Sequence, residues 1–252
     1  MPGWVLAIVL GAAPSLFVLT FFYLRDRWER EPMHRVAMAF GLGLYAMAAA
    51  RGLAFTVINF LSADWLGGGT EGARLFESFV LAAFIEETSK AVVLFACIYH
   101  WDDFDEPLDG VVYGVAVSLG FATLENVLYI LQSQAGGGGL TIVWQRALFS
   151  VPAHALFGGA MGYYAGKAKF DRTHPVALAL DRTFCLAVPI LFHGGYNFAL
   201  HHRLDTQLWA IVTAISLGMW VFVLRRVHRA DRASPFRPRT GANPVGPDLE
   251  KR

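Results

Sequence analysis

Carboxylates, an ammonium group and imidazoles are concentrated in runs of sequence that are otherwise apolar. Glu86, Glu87 and Lys90 lie in Phe-Ile-Glu-Glu-Thr-Ser-Lys, and Glu125 with Asn126 in Gly-Phe-Ala-Thr-Leu-Glu-Asn; His154 follows Pro152, and His193 precedes Asn197. On a helix, Lys90 shares a face with either glutamate and His193 shares one with Asn197, because residues three or four apart are neighbours. Adjacent Glu86 and Glu87 point about 100° apart, so one can face a site while the other makes a structural pair. Such a set can perform hydrolysis. A carboxylate serves as general base to a water, a histidine orients that water or the base, and a second histidine with an amide stabilises an oxyanion. Alternatively Glu125, His154 and His193 could hold zinc, which lowers the pKa of its bound water to about 7. No His-Glu-x-x-His run is present, so the residues leave both the zinc and the metal-free version open. Pro152 removes one helical hydrogen bond and opens the backbone beside His154.

The elements that must position these groups are membrane helices. The chain has 252 residues, 55% of them hydrophobic and 16% charged, with a net charge of +1 and a mean hydropathy of +0.43. A soluble domain carries about a quarter charged residues. A large soluble catalytic domain, a disulfide scaffold and a nucleic-acid partner are thereby excluded. One span needs about 20 largely apolar residues, and seven runs qualify, near 4–24, 36–62, 73–98, 108–133, 145–166, 176–200 and 207–224. The expected fold is an all-α polytopic membrane bundle of about seven transmembrane helices, or eight with a re-entrant segment. Charged groups at the bilayer centre cost at least about 2.5–3.5 kcal/mol, so the polar residues on four consecutive spans need a reason. At ~1.5 Å per residue, Glu125, His154 and His193 come out at similar depths, with Glu87 roughly 8 Å deeper. A shared site is therefore allowed.

Basic residues set the orientation. Arg25, Arg27, Arg30 and Arg35 fill the first connection, Lys167, Lys169 and Arg172 the fifth, and more follow from Arg225. The positive-inside rule then puts the N-terminus outside and the C-terminus in the cytoplasm. Residues 1–228 form the membrane domain that carries the chemistry; 229–252 read as a disordered basic cytoplasmic tail near anionic lipid. The glycine runs Gly67 to Gly69 and Gly136 to Gly139 read as outer linkers, and His201 and His202 as solvated. Asp102, Asp103, Asp105, Glu106 and Asp109 read as a solvated cytoplasmic turn, with calcium binding as the second reading. Arg51 reads as paired or snorkelling, and Cys97 and Cys185 as small buried thiols.

In order along the chain, several motifs resemble the PrsW family of intramembrane proteases, within the CAAX prenyl protease and Abi-like superfamily. They are Ala13-Pro14-Ser15, Asp26-Arg27-Trp28-Glu29-Arg30-Glu31-Pro32, Glu86-Glu87-x-x-Lys90, Leu108-Asp109-Gly110 with Tyr113-Gly114, Gly120-Phe121-x-x-x-Glu125-Asn126, Pro152-x-His154 and His193-x-x-x-Asn197. The resemblance implies a peptidase, with Glu86 activating water and His193 with Asn197 polarising the scissile carbonyl. The prenyl proteases have Phe-x-x-x-His where this chain has Phe121-x-x-x-Glu125. An imidazole must then come from elsewhere, and His154 is the candidate. The resemblance further implies a single-span membrane protein as substrate, such as an anti-sigma factor, cut in the bacterial cytoplasmic membrane. Two rivals remain: a non-catalytic scaffold of the same fold, and a proton-coupled transporter.

Overall fold

In the computed structural model, the structure describes residues 3–61, 70–135, 143–170, 174–201 and 205–238. The molecule is all-α, and seven helices among the described residues coincide with the seven apolar runs. Helix α1 spans Gly3–Tyr23, α2 Met33–Phe60, α4 Pro107–Ala135, α6 Pro175–His201 and α7 Asp205–Arg232. These five are long and apolar enough to cross a membrane, making this a multi-pass membrane protein, in keeping with the bacterial cytoplasmic membrane expected.

Helices α3 and α5 differ from the other five. Helix α3, residues 71–98, alternates α-helix with π-helical turns at Glu77–Phe84 and Leu94–Ile98. Helix α5, residues 143–170, carries a π-helical turn at Arg146–Ser150 before continuing as Val151–Phe170. π-Helical turns are uncommon and gather at functional sites. Here one runs directly into the Glu86-Glu87 pair, and the other ends just before Pro152 and His154.

Helix α4 is the centre of the bundle. In its most apolar window 83% of residues are buried, against 17–28% in the other four spans, so α4 faces protein while its neighbours turn Phe17, Tyr45, Phe55 and Leu191 outward. Backbones meet along α4 because glycines leave room. A Cβ on Gly110 would stand 2.4 Å from the Gly162 carbonyl oxygen, and one on Gly114 2.4 Å from that of Gly158. On the other side, a Cβ on Gly120 would come within 1.9 Å of the Phe40 carbonyl of α2. Small residues every fourth position permit such approach. The seam sets the register: Ser118 Oγ donates to the His154 carbonyl at 2.6 Å, which brings His154 beside Glu125, two turns further along α4.

Several expectations need correction or relocation. The acidic connection is not uniformly solvated. Asp102 and Asp105 are exposed and Asp103 pairs with Arg35 at 2.6 Å, but Glu106 and Asp109 are fully buried, together with Asp26 and Glu31 from the first connection. Asp109 caps its own helix, accepting the N–H groups of Asp105 and Glu106, and so cannot turn outward. Burial lifts the carboxyls of Glu31 and Glu106 to about 7 and that of Asp26 to about 6. Cys185 is buried as expected, whereas Cys97 is exposed on an outward face of α3. Arg51 is exposed on α2. Helix α7 continues to Arg232, past the boundary expected at 228. Both glycine runs, His202, the His201 side chain and residues 239–252 lie outside what is described.

The glycine seam yields a first prediction. Gly162→Ala puts a methyl group 1.8 Å from the Gly110 carbonyl oxygen, and the overpacking should cost about 1–3 kcal/mol. Gly218→Ala, with nothing within 4 Å, is the neutral control. Thermal unfolding of the two variants in detergent should show a lowered Tm only for the first.

Candidate active site

Helices α3, α4, α5 and α6 bring the sequence-predicted residues together at one level of the bundle. Packing of the α3 π-helical turn against α6 achieves this: Phe79 lies where a Cβ on Gly194 would be, 2.2 Å away, and the residue before that glycine, His193, is carried against Glu87. Glu87 is fully buried, and its Oε1 accepts from Lys90 Nζ at 2.7 Å and from His193 Nδ1 at 2.7 Å. Lys90 also reaches His154 Nδ1 at 3.1 Å and lies 4.4 Å from the centre of the Phe121 ring.

An ammonium group only donates, so His154 Nδ1 accepts and the ring proton resides on Nε2. That nitrogen donates to Glu125 Oε2 at 3.1 Å. His193 is oriented the other way. Its Nδ1–H is committed to Glu87, leaving Nε2 3.9 Å from Glu86 Oε2. Phe157 stacks on the His193 ring at 4.7 Å, and the two imidazoles meet edge to face at 5.4 Å. Both rings are therefore held by packing as well as by hydrogen bonds.

The two glutamates thus divide. Glu87 is the structural partner, neutralised by Lys90, while Glu86 lines a cavity of about 490 Å³. Glu125, His154, His193 and Asn197 share that lining. Glu86 Oε2 is buried and has no hydrogen-bond partner among the described residues.

Arg146, near the start of α5, joins the cluster although the sequence reading did not include it. It donates to Glu125 Oε2 at 2.6 Å and Asn126 Oδ1 at 2.5 Å, and stacks over Tyr129 at 4.2 Å. One available signal was the arginine's position, two turns before His154, on a helix facing a carboxylate that needed a counter-charge. The departure from Phe-x-x-x-His is explained in part by this contact. Glu125 receives both the imidazole of His154 and the guanidinium of Arg146.

Glu86, Glu125 and His154 each present one ligand atom, all within 4.8 Å of one another. Carboxylate and imidazole donors of this kind suit zinc, and the unpartnered Glu86 oxygen supplies an open lone pair, so the residues fit a divalent metal. Glu86 here takes the place expected for His193. To ligate through Nε2, His154 would have to release its proton. By contrast, His193, with a carboxylate behind Nδ1, has the arrangement that holds metal-bound imidazoles.

A profile described as the PrsW family intramembrane metalloprotease matches residues 15–225, a stretch that contains every one of these groups. The chain belongs to the PrsW family. The Protease PrsW of Bacillus subtilis (strain 168) is 37% identical over 223 residues, covering 88% of this chain and 94% of that protein. The Protease PrsW of Geobacillus kaustophilus (strain HTA426) is 37% identical over 227 residues, with 88% and 91% covered, and that of Clostridioides difficile (strain 630) is 31% identical over 225, with 87% of each chain covered. No solved structure matches significantly. As a member of the PrsW family the chain is an enzyme, an intramembrane protease.

Removing Lys90 should expose the cost of this arrangement. Lys90→Met leaves Glu87 fully buried without its ammonium partner, a loss of about 3–5 kcal/mol. K90M/E87Q, which removes both charges, should recover most of it. Chemical denaturation in detergent checks this, and equal stability of K90M and wild type would show that the pair is dispensable.

Proposed function

We propose that this protein is an intramembrane endopeptidase that hydrolyses a peptide bond in a single-span membrane protein, such as an anti-sigma factor, by means of a water held at Glu86. The observation that carries this reading is the buried Glu86 Oε2, without a hydrogen bond among the described residues, on a cavity that Glu125, His154, His193 and Asn197 also line. The proposed topology is that of a seven-span protein with its N-terminus outside, its C-terminal tail in the cytoplasm, and surrounding lipid as its other partner.

Glu86 takes the proton from water as it attacks the scissile carbonyl. The Nε2 of His193, fixed by the Glu87 contact behind it, orients that water or donates to the developing oxyanion, and Asn197, one turn on, supplies an amide to the same oxygen. Glu125 and Arg146 keep His154 in place. A divalent ion held by Glu86, Glu125 and His154 would lower the pKa of bound water and polarise the carbonyl. Burial of Glu87, Lys90, His154 and His193 in the bundle lowers the local dielectric and strengthens these interactions.

Purified protein in liposomes, given a panel of single-span substrates, tests the assignment. Glu86→Gln, Glu125→Gln and His193→Ala should each lower cleavage at least about 100-fold. Cleavage surviving all three would remove the active site from this cavity. Metal content of the same preparation decides the cofactor: bound zinc together with chelator-sensitive cleavage supports the ligand set, and full activity without metal overturns it.

A further inference from the structure

A second cluster of acids lies at the opposite end of α4, and the hydrolytic chemistry makes no use of it. Asp109 precedes Glu125 by 16 residues on the same helix, which places the two centres about 24 Å apart. Asp26 and Glu31 come from the α1–α2 connection, and Glu106 and Asp109 from the start of α4; all four are at most 1% exposed.

Hydrogen bonds satisfy only part of this group. Tyr113 donates its hydroxyl to Glu31 Oε2, and Asp109 Oδ2 takes two backbone N–H groups. Among the described residues six carboxylate oxygens are buried without an aligned hydrogen-bond partner, both of Asp26, both of Glu106, Oε1 of Glu31 and Oδ1 of Asp109, although the backbone N–H groups of Trp28 and Glu29 lie close to the Asp26 carboxyl and the Glu31 and Asp109 carboxyls lie against each other. Ser234 lies beside Glu106, but its hydroxyl makes no aligned hydrogen bond to it. Among the described residues none of the four acids makes an ion pair. The nearest cations hydrogen-bond to main chain: Arg30 Nε donates to the Asp26 carbonyl and acts on the Asp26 carboxyl only through space, and Lys169 Nζ donates to the carbonyls of Tyr99 and Phe104.

Buried carboxylates without counter-charge are unfavourable, and a cation relieves them. Asp26, Glu106 and Asp109 each present one oxygen within 4.8 Å of the others. Oxygens bound to a common calcium ion at 2.3–2.6 Å stand at most about 5 Å apart, and the ion takes six to eight of them. The donor set is all oxygen, which selects hard cations over zinc. We propose that Asp26, Glu106 and Asp109, with Glu31, form a binding site for a hard divalent cation, Ca²⁺ or Mg²⁺, that ties the α1–α2 connection to the start of α4. The site is separate from the hydrolytic cavity and holds whether or not the peptidase reading does.

Terbium reports on this site directly. The Trp101 ring lies 5.3 Å from that of Tyr113, whose hydroxyl reaches Glu31, so bound Tb³⁺ should be excited through Trp101. Chelator-stripped full-length protein in detergent should show sensitised emission that Ca²⁺ or Mg²⁺ displaces, and the order of displacement identifies the preferred ion. Asp26→Asn and Glu106→Gln should weaken Tb³⁺ at least tenfold, while Glu125→Gln, in the other cluster, should leave it unchanged. Should those variants fail to fold, thermal unfolding of wild type and E125Q serves instead. Saturating Ca²⁺ or Mg²⁺, near 100 times Kd, should raise Tm by about 5–10 °C in both. Absence of emission or of a Tm rise, or loss of either in E125Q, overturns the proposal and leaves a proton shared between Glu31 and Asp109 as the means of neutralisation.

Discussion

An ammonium group removed from water must be met by negative charge or by lone pairs, and Lys90 Nζ is met on three sides, by Glu87, by His154 Nδ1 and by the face of Phe121. Desolvating each ion costs several kcal/mol, so the contact persists only where its geometry is closely satisfied. Its effects spread outward from there. It ties Glu87 down and so leaves Glu86 as the carboxylate that faces the cavity. It fixes the His154 tautomer, which decides that Nε2 donates to Glu125. Through Glu87 it orients His193 as well. Three helices beyond its own are thus placed by one positive charge.

The same reasoning explains why the glycines lie where they do. An electrostatic network in a low-dielectric interior tolerates little slack, because an unpaired member is expensive. Close contact of α4 with α2 and α5, through Gly120 against Phe40 and Gly114 against Gly158, sets Glu125 and Phe121 at the depth the network needs. Packing and charge are one design problem in this bundle.

Much of this was legible in the sequence. The apolar runs located the helices because length and hydropathy alone decide which segments can cross a bilayer, and the depth arithmetic brought Glu125, His154 and His193 together. Which of Glu86 and Glu87 faces the cavity was not legible, because rotation of α3 is set by π-helical turns that no residue pattern announces. Arg146 was not legible as a site residue, because an arginine near a span end serves topology as readily as chemistry. Glu106 and Asp109 were misread for a different reason. A run of acids in a connection looks solvated, and what buries these two is contact with Glu31 and Asp26 from an earlier connection, a pairing remote in sequence. Cys97 faces outward although its surroundings are apolar, since lipid and core are alike to a hydropathy count.

The seam between α4 and α5 has a kinematic consequence. Where side chains interdigitate, helices can slide by exchanging rotamers, but backbone resting on backbone has no rotamers to exchange. Helices α4 and α5 therefore behave as a single rigid plate, and the distance from Glu125 to His154 is fixed by main-chain geometry. Widening to admit an extended chain would fall more easily on the facing side, where α3 and α6 meet through the Phe79 side chain against Gly194. The immobile half of the site would then hold the acid–imidazole pair, and the yielding half would carry Glu86 and His193 toward whatever enters.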